Sequence, residues 1–280
     1  MKKIKKPELK VKQVFTDCIS IVRNSLYKQQ LNNCIDTLEE AETVLENKII
    51  ENKVHEIPQN EVILGSIAKE DMEKVYNDRM VKKGTPARDY YNIIFLSAVK
   101  CPFCSQRIVK TLDHYLPKSK YPIYAVTPIN LIPSCSDCNK DKLVEYPESP
   151  EQETLHPYFD DVDDEVWLKA KIILTEPIGF EYYVFASPNR TDLLNARILN
   201  HFTSFSLNKL YSVHAIEELE NNKYHFKKLY TNGGVDLLKA HLKDCFDSRS
   251  SNDINSWQTA FYGALYEDEW FCNGGVLDLE

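Results

Sequence analysis

Two Cys-x-x-Cys pairs, Cys101/Cys104 and Cys135/Cys138, constrain this chain more than any other feature. Four thiolates at this spacing make a tetrahedral zinc site, so the chain between the pairs must return on itself. A thioredoxin-like redox motif is the rival reading for one pair. Two pairs bracketing one segment favour metal. Four sulfurs leave no open position on the ion, so the zinc is expected to be structural and not catalytic. The segment 101–142 is too short to stand on apolar burial alone. Structural zinc supplies on the order of 10–16 kcal/mol of apparent binding free energy in small domains. Loss of one cysteine is therefore expected to unfold the segment. Cys18, Cys34, Cys245 and Cys272 are scattered and read as free, partly buried thiols.

With 43% hydrophobic and 11% aromatic residues, the chain can build a core, which excludes global disorder. The opening MKKIKKPELK is basic but is not followed by an apolar run, and the uncharged stretch 93–99 is too short to span a bilayer. A soluble cytoplasmic protein with no membrane partner is expected. Lys2, Lys3, Lys5 and Lys6 read as a disordered, solubilising end.

Net charge is −8, which by itself argues against nucleic acid. The charge is segregated, however. Residues 101–142 hold six Lys/Arg and three Asp, a local balance of +3, so the remainder carries −11. That suits a local phosphate site with weak non-specific affinity, and it predicts that full activity needs a partner.

Three regions follow along the chain: 1–100, 101–145 and 146–280. The first is expected to be helical, from Val14, Cys18, Ile21 and Val22 and then Leu31, Ile35, Leu38 and Leu45. A charged helix is expected from Ser66 or Lys69 to Lys83. Thr85-Pro86 should open another, running to Val99 and packing on the cysteine module. Residues 146–165 form an acidic connector, with nine carboxylates between Glu145 and Glu165, expected to be a solvated loop or an electronegative flap. A hairpin at 166–174 and 180–185 precedes helices at 191–201, 206–220 and 235–245, with a last one from Ser256. The fold class is α+β, mostly α, with a central zinc-stapled ββα core.

Between the cysteines lie Asp113, His114, Asn130 and Asn139. A strand at 108–112, a partner at 130–133 and a short helix at 137–143 would make a β-β-α unit. It would turn His114 toward Asp113 and Asn139. Asp113 and the Asn139 carbonyl suit a hard, oxygen-seeking cation, Mg²⁺ or Mn²⁺, with room for phosphate oxygens. Neutral His114 suits a general base acting on water. Asn130 reads as a structural amide that holds His114 in place. Lys118 and Lys142 are candidate phosphate contacts.

The pieces C-P-F-C, L-D-H-Y-L-P-K-S, N-L-I-P-S-C and C-N-K-D-K resemble the HNH, or ββα-metal, nuclease motif. The resemblance covers residues 101–142. It implies that Asp113 and Asn139 bind the catalytic cation, that His114 is the base and that Asn130 is the middle asparagine. It also implies hydrolysis of a nucleic-acid phosphodiester, DNA favoured over RNA, leaving 5′ phosphate and 3′ hydroxyl ends. Ala87-Arg88-Asp89-Tyr90-Tyr91 and His156-Pro157-Tyr158 resemble bacterial HNH proteins of anti-phage defence such as Septu, which implies a partner ATPase. The alternative is a non-catalytic zinc-stabilised adaptor that binds nucleic acid or protein. His156 is expected to pack against Pro157 and Tyr158, and Arg88 to sit in an ion pair or touch phosphate. His55, His201, His214, His225 and His241 read as core or surface histidines.

Overall fold

A computed structural model of the chain describes residues 1–60, 62–64, 67–142 and 146–279. In order, the elements are α1 (Val11–Ser20), α2 (Ser25–Asn32), α3 (Ile35–Ile50), β1 (Val62–Leu64), β2 (Ile67–Ala68), α4 (Lys69–Lys74), α5 (Arg88–Phe95), β3 (Thr111–His114), β4 (Leu131–Ser134), α6 (Ser136–Asp141), β5 (Leu168–Ile173), β6 (Gly179–Val184), α7 (Asp192–Ser204), α8 (Leu207–Ser250), α9 (Trp257–Glu267) and α10 (Glu269–Cys272). Every sheet among the described residues is a two-stranded antiparallel pair. The fold is thus α+β and mostly α, as expected. It divides into two compact units, Met1–Asp161 and Val162–Glu280. Regions 1–100 and 101–145 share the first unit, and 146–280 spans the boundary.

The first unit is built on a helical frame. Val11, Val14, Phe15, Cys18 and Ile19 repeat at helical spacing along one side of α1 and are all buried. No side chain caps α1 at Lys10. The buried Glu42 carboxylate of α3 instead accepts from the Val11 amide at 3.3 Å, meeting one of the unpaired N–H groups of a helix start. This apolar cluster extends through Met72, Val75, Tyr76, Met80 and Ile94 into Leu112, Ala125, Val126 and Leu131 of the cysteine module.

Several boundaries differ from expectation. The charged helix begins at Lys69, where the Asp71 carboxylate accepts from the Ala68 amide at 3.1 Å, and Ser66 lies outside the described residues. From Val75 to Val81 it widens into a π-helix. Thr85 does not cap α5. Its hydroxyl donates to the Lys82 carbonyl in a turn where Gly84 has φ +82°, and the helix starts at Arg88. That helix ends at Phe95, not Val99, leaving Leu96 and Val99 exposed, while buried Tyr91 and Ile94 lie on the side packed on β3 and β4. The basic N-terminus is not a disordered tail. The Lys2 amide donates to the Pro102 carbonyl at 2.8 Å, the Ile4 amide to the Pro157 carbonyl at 2.9 Å, and Lys6 pairs with Glu46.

In the second unit, β5 and β6 pair from Leu168↔Val184 to Ile173↔Gly179, close to the expected hairpin. The helices expected at 206–220 and 235–245 are parts of α8, which runs on through residues 221–233 and bends at Gly234. There φ is +63° and ψ −153°, backbone that is essentially confined to glycine. Ser256 caps α9 by accepting from the Thr259 amide, and Trp257, Ala260, Phe261, Ala264 and Leu265 are buried. No helix among the described residues is long and apolar enough to cross a membrane.

Candidate active site and metal centre

Two tight knuckles bring the four cysteine sulfurs together. In the first, the Cys101 amide donates to the Arg107 carbonyl at 2.8 Å and the Ser105 amide to the Cys101 carbonyl at 2.7 Å, with Ser105 in the left-handed region at φ +56°. In the second, Cys135 precedes α6 and its sulfur accepts from the Cys138 amide at 3.4 Å. An Arg107–Asp137 ion pair of 2.8 Å links the two knuckles. All four sulfurs lie within 4.8 Å of one another and are buried. A tetrahedral zinc–thiolate centre sets its sulfurs about 3.8 Å apart, given Zn–S bonds of about 2.3 Å. Hydrogen bonds among the four sulfurs split their titration: Cys104 and Cys135 are held below the usual thiol range, Cys135 at about 6, and Cys101 and Cys138 above it. The donor set and its compactness fit zinc, which the cluster could hold.

Between the knuckles, β3 and β4 pair with Asp113 opposite Ile132 and His114 opposite Leu131. The Asp-His dipeptide is therefore the end of the strand and does not follow it. Both residues are buried, each with 7% of its surface exposed. Their side chains meet different partners, as alternation along a strand dictates. His114 Nε2 lies 2.9 Å from the Ala125 carbonyl, which can only accept, so that nitrogen carries the proton and Nδ1 the lone pair. The Tyr76 ring of the π-helix meets the imidazole edge-on, with centroids 4.5 Å apart and planes at 70°. Burial, and then the positive charge of Lys118, push the His114 pKa down to about 3, so the ring is neutral near pH 7.

Asn130 is fully buried at the junction. Its carbonyl oxygen accepts from the Leu116 amide at 2.7 Å, and its amide nitrogen donates to the Leu116 and Tyr124 carbonyls at 3.0 and 3.1 Å. It thereby fixes the 122–130 loop that presents the Ala125 carbonyl to His114. Within the acidic connector, expected as a solvated loop or electronegative flap, residues 153–158 are a strap bonded to this module. The Tyr115 hydroxyl donates to the Thr154 carbonyl at 2.7 Å, and the Tyr158 hydroxyl to the Leu131 carbonyl at 2.7 Å. His156 is buried with both ring nitrogens used: Nε2 donates to the Ile129 carbonyl at 3.1 Å, and Nδ1 accepts from the Tyr158 amide at 3.2 Å. Glu153, 1% exposed, takes the His55 ring at 2.8 Å. His55 thus has a carboxylate partner that its sequence neighbourhood does not reveal.

The lysines part company. Lys118 is half-buried with its ammonium 5.2 Å from the centre of the Tyr76 ring. Lys142, a candidate phosphate contact, is buried, 7% exposed. Its ammonium lies 3.2 Å from Asp113 Oδ2 and donates to the His114 and Tyr115 carbonyls at 2.5 and 2.7 Å. Burial pushes Asp113 up and Lys142 down, and their mutual attraction opposes both shifts. Asn139, on α6, is half-buried and its side chain has no hydrogen bond to Asp113 or His114 among the described residues. Arg88 forms no ion pair among the described residues. It donates to Asn92 at 2.9 Å and to the Val81 carbonyl and stacks 4.3 Å from the centre of the Tyr91 ring. Sequence reading missed Tyr76 and the Ala125 carbonyl, because neither carries a local signal.

The chain is 30% identical over 241 residues to "Protein ea31" of Escherichia phage lambda, an alignment that covers 80% of this chain and 80% of the relative. No protein-family model and no solved structure matches it.

Proposed function

The chain belongs to the family of protein ea31 of Escherichia phage lambda, and for this member we propose a cation-dependent HNH-type endonuclease that hydrolyses nucleic-acid phosphodiester bonds, DNA in preference to RNA. One observation carries the reading: a buried, neutral imidazole, held through Nε2 by the Ala125 carbonyl, ends a short strand beside a buried carboxylate. His156, buried in the strap, has both ring nitrogens occupied. His114 instead has no hydrogen bond at Nδ1 among the described residues, which leaves that lone pair open to a water.

In this reading His114 takes a proton from the attacking water, and the Ala125 carbonyl and Tyr76 hold the ring in one tautomer and orientation. Asn130 keeps the loop, and with it the carbonyl, in register. Asp113 and the Asn139 side-chain carbonyl would hold Mg²⁺ or Mn²⁺. Bound there, such a cation would offset charge on the scissile phosphate and the leaving 3′ oxygen. Lys118 is the candidate phosphate contact. Zinc on the four cysteines is structural.

A second reading is favoured by one specific contact. The Asp113 carboxylate already has an ammonium partner in Lys142, as it could in a non-catalytic adaptor. A nuclease assay with Mg²⁺ or Mn²⁺ on matched DNA and RNA, with and without a co-purifying ATPase, separates the two. His114→Ala should lower the cleavage rate by roughly 10²–10⁴-fold with zinc content unchanged. Equal cleavage by variant and parent, or none by either under any of these conditions, would remove the nuclease reading. The partner ATPase itself is proposed on the likeness of residues 87–91 and 156–158. In this chain Arg88 and His156 also serve local packing.

A further inference from the structure

The environment of Asp113 is unusual for a site meant to attract a divalent ion. Its carboxylate is matched by the Lys142 ammonium at 3.2 Å. That ammonium is not free to swing away, because it also holds the His114 and Tyr115 carbonyls. Its backbone is fixed as well: the Lys142 amide donates to the Cys138 carbonyl at 3.1 Å, at the end of the helix that carries one of the four sulfurs and follows directly on another. Lys118, over the Tyr76 ring that abuts His114, is a further cation whose charge acts on Asp113. The remaining donor, Asn139, is neutral. A dication that approaches Asp113 therefore meets a carboxylate that is already neutralised, with like charge beside it. Hard cations are held by carboxylates and, for Mg²⁺, by substrate phosphates, and neutral amides do not replace the missing charge.

We propose that Lys142 makes cation loading at Asp113 conditional on a phosphodiester. The free protein binds a divalent ion weakly, and tight binding follows only when a nucleic-acid phosphate brings the negative charge that Lys142 has cancelled. Lys142 is a positioning residue in this scheme: it aligns β3 with α6 and sets the order in which cation and nucleic acid assemble. The inference rests on the nuclease reading above.

The test is Mn²⁺ binding by electron paramagnetic resonance to the full-length, zinc-loaded protein. A His114→Ala background keeps a short DNA duplex uncut. In that background Mn²⁺ should bind at least about tenfold more tightly with the duplex than without it, the scale on which one charge at contact distance shifts an ionic equilibrium. Adding Lys142→Met should raise Mn²⁺ affinity without DNA by about tenfold or more and narrow the gain that the duplex brings. Asp113→Ala should abolish the uptake. Equal Mn²⁺ affinity of the parent with and without DNA overturns the inference and leaves the nuclease reading standing. So does a folded, zinc-replete Lys142→Met protein that binds Mn²⁺ no better. Should Lys142→Met fail to fold, the comparison of the parent with and without DNA decides alone. Absence of Mn²⁺ uptake under every condition overturns the nuclease reading and this inference with it.

Discussion

The helical frame of residues 11–95 and the cysteine module of residues 101–142 belong to one unit but are held by different forces. The frame buries continuous apolar faces, such as that of α1, and places few polar groups inside. The module buries Asp113, His114, Asn130, Ser134 and Lys142, and the strap against it adds Glu153 and His156. Polar burial costs free energy unless each group finds a partner. A short segment can sustain it only if something else supplies the stability, and four converging sulfurs are positioned to do so. A metal on the four cysteines would let the module keep this polar interior, whereas the frame contributes walls such as Tyr76 in place of ligands.

The comparison breaks first at the staple. Cys135→Ala should remove most of the zinc-derived stability, on the order of 10 kcal/mol, and unfold the module. Zinc content by atomic absorption should fall while the helical signal of α1 and α3 largely persists. An unchanged melting profile would show that the sulfurs do not carry the module. Next, Phe15→Ala in the frame should cost about 3–5 kcal/mol in chemical denaturation and leave the zinc bound. If it released zinc as readily as a cysteine change, the two regions would not be held separately.

The smallest effect sharpens the contrast within the module. Asn130→Ala strips the side-chain partner from the Leu116 amide and carbonyl and one of two donors from the Tyr124 carbonyl, which keeps the Thr127 amide, at about 2–3 kcal/mol. Zinc should stay bound, and any cleavage activity should fall because the Ala125 carbonyl no longer orients His114. Activity equal to the parent would mean that the loop does not position the imidazole.

Legibility in the sequence followed the range of the forces. Helical periodicity located α1 and α3, and alternation located the β5–β6 hairpin, because both patterns repeat within a few residues. Boundaries governed by backbone conformation were read less well. The α5 start moved past Pro86 because Gly84 and Thr85 form a turn, and α8 continued to a bend at Gly234. The connector read as solvated because its many carboxylates say nothing of Glu153 meeting His55, a contact across 98 positions.

The amino-acid sequence alone determined that four cysteines would bracket one short segment carrying Asp113, His114, Asn130 and Asn139, since spacing and ligand chemistry are properties of the chain itself. Only the tertiary structure decided that Lys142 turns inward onto Asp113, that Tyr76 and the Ala125 carbonyl hold His114, and that residues 153–158 of the acidic connector lie strapped to the module. A charged or aromatic side chain chooses between solvent and interior by which distant groups can repay its desolvation, and those groups are brought near only by the fold.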